Sequence, residues 1–350
     1  MRGRWGSLCV LACVGMLAAG CGGGDDDDTA STDPAVSTTA SAPATTAATV
    51  ASTTASTSTS VAVATTQPLP TEGLIAEIEV LGGPDWLAVD EHGVWAKNDN
   101  GSVVLIDPAT NAIADTVDVD VGGELCQGLG AGDGSVWACS GPDVARIDAS
   151  FPEVLSVIPV GKTFTQGNLG VAEGQVWTLI GDGSTLHGYL TDTQDLWSRF
   201  ALPVRGTDLA VGEAGLWVIS TVDGAAIHVD MDTGRVLDRI DVQAPVDITV
   251  DSGVWIGAQS ESVRVDVASG AIDLRVPVGT GDDGSIATTP GEVWIQNVEP
   301  LMTRLDRETG AVIDTYTGEV TNGGDSVYAF GSIWTSAYDD AKIFRFAAPG

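Results

Sequence analysis

From residue 73 onward, the alternation of apolar and polar positions reads as a succession of short β-branched runs, broken every few residues by Gly, Asn or Asp. A two-residue period bounded by turn residues is the mark of half-buried strands, and no stretch of helical length interrupts it. One hairpin recurs. It closes on Gly93-Val94-Trp95-Ala96, and its Trp returns as Trp137, Trp177, Trp217, Trp255, Trp294 and Trp334, at gaps of 42, 40, 40, 38, 39 and 40 residues. Each of these Trp follows Val, Leu or Ile. Seven all-β copies at that period predict the blades of a propeller.

Each unit divides into four short strands. The first runs Leu87-Ala88-Val89, then Gly93 to Ala96, a turn at Asn98-Asp99-Asn100-Gly101, Val103 to Asp107, and Ala112 to Val119. Asn-Gly and Asp-rich turns between β-branched runs are hairpin chemistry. Fourth strands follow six of the hairpins, at 112–119, 154–160, 197–204, 235–242, 271–278 and 311–317. The seventh hairpin is followed only by a third strand at 341–346, while a surplus run of fourth-strand character, Leu74 to Val80, precedes the first. The expected fold is therefore all-β: a seven-bladed propeller of four-stranded antiparallel blades over 73–350, its ring closed by the N-terminal strand 74–80. Closure removes blade edges and faces that an open ring would expose.

The first 72 residues have another character. Arg2 and Arg4 precede a short apolar run, and small residues lead to Cys21, so residues 1–20 read as a signal peptide too short to span a bilayer. Leu17-Ala18-Ala19-Gly20-Cys21 resembles a bacterial lipobox, with Ala18 where Leu is more usual. That resemblance implies an acylated Cys21 and a membrane anchor on the extracytoplasmic face. Residues 21–72, with Asp25 to Asp28 and then almost unbroken Ser, Thr, Ala, Val and Pro, have nothing large to bury and read as a disordered tether. About 50 such residues span roughly 40 Å.

A formal charge of −33 and a pI near 4.1 argue against nucleic acid and against a face that lies on anionic lipid. They suit a solvated exterior and a monomer. The seven hairpin Trp occupy one register and read as core between blades, whereas Trp86 and Trp197 fall outside it, Trp86 beside the start of an innermost strand. Of five Cys, Cys9 and Cys13 lie in the signal and Cys21 is the lipid acceptor. Cys126 and Cys139 remain, and pairing the first two strands of the second blade about Gly132-Asp133 sets Leu129 opposite Val136 and Cys126 opposite Cys139, predicting a disulfide. His92, His187 and His228 form no catalytic or metal motif, and Asp230, Asp232 and Gly234 lack the acid a calcium loop needs. No catalytic residue is assigned.

One constellation carries chemistry. At or just before each innermost strand stands a polar residue: Asp85, Gln127, Asn168, Asp208, Asp247, Asp283 and Asp325. Around a central channel these could converge on one mouth as a mostly acidic ring, with oxygen ligands suited to Ca²⁺, Mg²⁺ or a cationic small molecule. The plainer account is that Asp and Asn favour turns entering strands.

Val103 to Asn111, Ile158-Pro159-Val160-Gly161 and Val276-Pro277-Val278-Gly279 resemble the YVTN or YncE-like family of seven-bladed propellers over residues 73–350. That resemblance implies the fold and a binding or surface role. The Val-Trp second strands depart from its usual Tyr-Val and are similar to streptogramin lyase propellers, whose catalytic His has no counterpart at the matching positions here. A gluconolactonase-type lactonase, holding a divalent metal in a pore ring of acids and amides, is similar in residue types but usually has six blades. Two functions follow as expectations: a lipid-anchored binding or scaffolding module for a protein, glycan or small molecule, or a metal-dependent lactonase or lyase working at the channel mouth.

Overall fold

The structure is a computed structural model that describes residues 73–119, 126–163, 167–317, 320–321 and 323–348. The expected signal peptide, Cys21 and the expected tether lie outside the described residues. Among the described residues, 28 strands form seven four-stranded antiparallel sheets. Six sheets take their strands in chain order from the channel outwards. The innermost strands are Pro84–Val89 in blade 1, Leu129–Gly132 in blade 2, Leu169–Ala172 in blade 3, Asp208–Gly212 in blade 4, Pro245–Val250 in blade 5, Ile286–Thr288 in blade 6 and Ser326–Ala329 in blade 7. Each packs beside the next and the last beside the first, which makes a ring.

Blade 7 shows how the ring closes. Its outermost strand is Leu74–Glu79, from the start of the domain, paired antiparallel with Lys342–Ala347 from the end. Hydrogen bonds from Val80 N to the Ala341 carbonyl, at 2.8 Å, and from Ala347 N to the Gly73 carbonyl, at 2.7 Å, extend the seam at both ends. The two chain ends therefore complete one sheet, as the surplus strand predicted.

The wall between blades is built from the repeated indoles. All seven hairpin Trp are 0 % exposed. Because residues facing each other across an antiparallel pair share a sheet face, the third strand decides what covers each ring. In four blades it supplies Arg: Arg146, Arg264, Arg304 and Arg345 lie 5.2, 6.0, 4.9 and 4.5 Å from the rings of Trp137, Trp255, Trp294 and Trp334. A guanidinium over a desolvated indole face is attracted by the ring quadrupole. Blade 4 substitutes His228, stacked on Trp217 at 4.7 Å. Blade 3 has Gly188 opposite Trp177, where a Cβ would stand 2.8 Å from the indole, and Phe200 stacks on Trp177 at 6.0 Å instead.

Cys126 and Cys139 are joined by a disulfide, with Cα atoms 5.8 Å apart. The strand register is not the expected one. Leu129 faces Ala138 rather than Val136, because the turn is made by Asp133 and Gly134, both at positive φ (52° and 71°). A two-residue turn with both φ positive matches the strand twist, and Gly134 accepts it without strain. Cys126 still reaches its partner from just ahead of its strand, beside the Gly128 carbonyl that accepts the Cys139 N–H at 2.9 Å.

Candidate functional site at the channel mouth

The innermost strands all run the same way along the channel, so their starts gather at one mouth and their ends at the other. At the starts lies a cavity of about 470 Å³, lined by six of the seven polar residues singled out from the sequence, Asp85, Gln127, Asp208, Asp247, Asp283 and Asp325, and by Trp86. Asp99, Asp282, Gln259, Tyr338, Thr207 and Thr221 complete its polar side chains. Asn168, the seventh, is half-buried behind it.

The hairpin register sorts these residues into two tiers. The residues facing the seven Trp are Ala88, Gly130, Gly170, Ala210, Thr249, Ala287 and Val327. Two positions before each stand Trp86, Gly128, Asn168, Asp208, Asp247, Ser285 and Asp325. Only four of the seven sequence-derived candidates therefore share one structural position. Asp85 and Gln127 stand one residue earlier and Asp283 two residues earlier, so the single ring expected from the sequence is an inner tier and a rim.

The inner tier stitches blades together. Asp208 Oδ1 accepts Asn168 N at 3.1 Å, and Asn168 Oδ1 accepts Leu129 N at 3.3 Å, each from the preceding blade. Asp247 and Asp325 reach the other way: Asp247 accepts Ile286 N at 2.7 Å, and Asp325 accepts Leu87 N at 2.8 Å. Their second oxygens accept Ile248 N and Ser326 N, each at 2.7 Å. In blade 6, Ser285 Oγ takes the equivalent place, 2.8 Å from Gln296 Oε1 and 2.7 Å from Ser326 Oγ. Asp208, Asp247 and Asp325 are buried, at 3, 7 and 7 % exposure.

Burial of carboxylates without a paired cation raises their pKa, because the charged form loses most when water is removed. Burial holds Asp208 and Asp325 well above the usual carboxylate range, and repulsion from Asp247 adds to it in both. Asp247 is pushed up by burial to about 6, against the backbone N–H groups of Ile286 and Ile248 that favour its charge. On the rim, Asp85 is raised to about 7, first by burial, then by repulsion from Asp99 and Asp283, with Lys97 acting in the opposite sense. Gln127 Nε2 donates to Asp99 Oδ1 at 3.3 Å and so ties two rim groups together.

None of the three His lines this mouth among the described residues. His187 is buried with Nδ1 3.0 Å from the Tyr189 hydroxyl, and burial followed by repulsion from Arg199 lowers its pKa. His92 sits in an exposed turn, 3.1 Å from Asp90. Trp86, Gly128 and Ser285 are the members of the inner position that the choice of polar residues did not select. Comparison with models of known families and with curated proteins finds no match.

Proposed function

We propose that this chain is a lipid-anchored, extracytoplasmic binding propeller whose ligand site is the acidic channel mouth, and that the ligand is cationic: Ca²⁺, Mg²⁺ or a small organic cation. The observation that carries the reading is the lining of the 470 Å³ cavity, which among the described residues brings together seven Asp and no Lys, Arg or His. Beyond Lys97, which acts on Asp85 from outside the lining, protons and a bound cation are the means of neutralising such a group, and oxygen ligands select hard cations. The anchor rests on the lipobox-like run ending at Cys21. Exchange of Cys21 for Ala is expected to release the protein from the membrane fraction.

The site is tested by melting the purified Cys21→Ala chain in EDTA and then with Ca²⁺, Mg²⁺ or a polyamine. An occupant at 100 times its Kd stabilises by about 2.7 kcal/mol. The expected result is a rise with at least one cation that Asp85→Asn and Asp283→Ala diminish. Absence of any shift at pH 8 rejects the site.

A metal-dependent lactonase or lyase reading is favoured by Asp85 alone. A carboxyl of pKa about 7 at an open cavity suits a general base at neutral pH. Lactone turnover with added metal, rising through pH 7 and lost in Asp85→Asn, would support it; an inactive parent rejects it.

A further inference from the structure

Among the described residues, the outermost strand of every blade leaves one edge unpaired, so seven rows of backbone N–H and C=O groups face out around the ring. Such edges invite pairing with another chain, and charged side chains are a common protection. Six of the seven outer strands carry charge, from Glu77 in blade 7 and Asp115 in blade 1 to Asp314 in blade 6. The outer strand of blade 2, Val154–Ile158, carries none, and its Val154, Leu155 and Val157 are 38, 49 and 48 % exposed. Phe151, just before it, is 76 % exposed.

The sequence of this strand is symmetric by residue class. Val-Leu-Ser-Val-Ile read from either end is apolar, apolar, Ser, apolar, apolar. Laid antiparallel on a second copy about Ser156, it sets Leu155 opposite Val157 and Val154 opposite Ile158, leaving Ser156 opposite its own equivalent. Directly facing residues have Cβ atoms about 5 Å apart.

We propose that the blade 2 edge is a self-association surface, joining two copies of the chain by antiparallel pairing of Val154–Ile158 across a two-fold axis. A second copy is the occupant because the strand complements itself. The nearest exposed charge, Glu153 immediately before the strand, falls opposite Pro159 in this pairing and away from its own equivalent. Pairing of five residues buries less than the roughly 1,200 Å² of a standard stable interface, so the dimer is weak and concentration-dependent. The monomer expected from the sequence remains the folding unit. A chain charge of −33 opposes association elsewhere on the surface, so screening by salt strengthens the dimer.

Sedimentation equilibrium of the Cys21→Ala chain, over a wide concentration range at low and high salt, tests the proposal. The expected result is a monomer–dimer equilibrium that tightens with salt and weakens about tenfold or more in Leu155→Asp at an unchanged melting temperature. On mild oxidation, Ser156→Cys is expected to give covalent dimer beyond that of the parent, and Val154→Cys much less, because only residue 156 faces its own equivalent. A monomer at every concentration and salt overturns the proposal. So does a dimer indifferent to Leu155→Asp, or equal cross-linking from positions 154 and 156.

Discussion

The two mouths of the channel are made by the same strands and handle acid in opposite ways. Where the strands start, Asp208, Asp247 and Asp325 are buried against backbone N–H groups and against one another, and Asp85 sits above them at a pKa of about 7. Where they end, a wider cavity of about 1150 Å³ has Val89, Val211, Val250 and Val327 in its wall, and Asp251 in its lining is paired with Arg307. Asp251 there receives two hydrogen bonds from Arg307, at 2.7 and 2.5 Å, with Thr288 and Gly253 also donating. Burial acts to raise Asp251, but the Arg307 hydrogen bonds and the others outweigh it, and its pKa is lowered. One mouth holds its most buried carboxylate, Asp251, charged through a cation of its own. The other keeps buried carboxylates without a guanidinium beside them, which is the feature behind the proposed uptake of protons or cations from outside.

The comparison presupposes a closed ring, and removing closure has the largest expected effect. Deletion of residues 73–81 strips the outer strand from blade 7 and separates it from Lys342–Ala347. Loss of cooperative thermal unfolding, followed by circular dichroism, is the expected outcome; a melting temperature equal to that of the parent contradicts the closure. Next in size is the inner tier. Asp247→Ala leaves Ile248 N and Ile286 N unpaired in a buried place, at about 1–3 kcal/mol each, for a loss of about 2–4 kcal/mol in chemical denaturation. Asp247→Asn keeps only one of the two acceptors and sets its NH2 against the other backbone N–H, so it is expected to cost about 1–3 kcal/mol, less than the Ala exchange.

The fold was legible because the seven Trp fix a register that repeats with little variation, and because the surplus strand at 74–79 could be counted against the missing one. The site was legible in residue type and place but not in alignment. Polar residues were chosen where they occurred near strand starts, and that choice mixed the inner tier with the rim. The Trp would have aligned them. The inner position lies nine residues before the hairpin Trp in six blades and eight in blade 5, where Asp247 precedes Trp255. Counted that way, Trp86, Gly128 and Ser285 join the position while Asp85, Gln127 and Asp283 move to the rim. The raised pKa of Asp85 was not legible at all, since it follows from burial and from Asp99 and Asp283, which the chain brings together only on folding.

A smaller and more informative effect is the dependence of stability on pH. A carboxyl whose folded pKa exceeds its unfolded value of 3.8 binds its proton more tightly in the folded domain. Its contribution is full below about pH 4 and is lost as pH rises through the folded pKa, here about 6 for Asp247 and about 7 for Asp85. The domain is therefore expected to lose on the order of 2 kcal/mol between pH 4.5 and 8 in EDTA. Asp85→Asn is expected to flatten the upper part of that curve, between pH 6 and 8, because Asn has no proton to lose. A cation held at the mouth would restore stability at pH 8 far more than at pH 5, which ties proton and cation to one site. A stability that instead rises from pH 5 to 8 in EDTA would mean that the inner tier is not the dominant titrating group.

The smallest expected effect lies at the other mouth and has the opposite sign. Asp251 has a lowered pKa, so its pair with Arg307 contributes above pH 3.8 and is lost only as pH falls through the folded value. The Asp251 side chain is 38 % exposed, and water screens the pair. Arg307→Gln is therefore expected to cost about 0.5–1 kcal/mol near neutrality, and to leave the curve between pH 6 and 8 parallel to that of the parent. A double-mutant cycle with Asp251→Asn isolates the coupling, and the same denaturation series with Ca²⁺ or Mg²⁺ shows whether the acidic mouth responds independently. If Arg307→Gln altered the pH 6–8 slope or the cation response, the two ends of the channel would be one electrostatic unit. A parallel curve and an unchanged response instead locate the uptake of protons and cations at the starts of the strands, where the carboxylates have no arginine of their own.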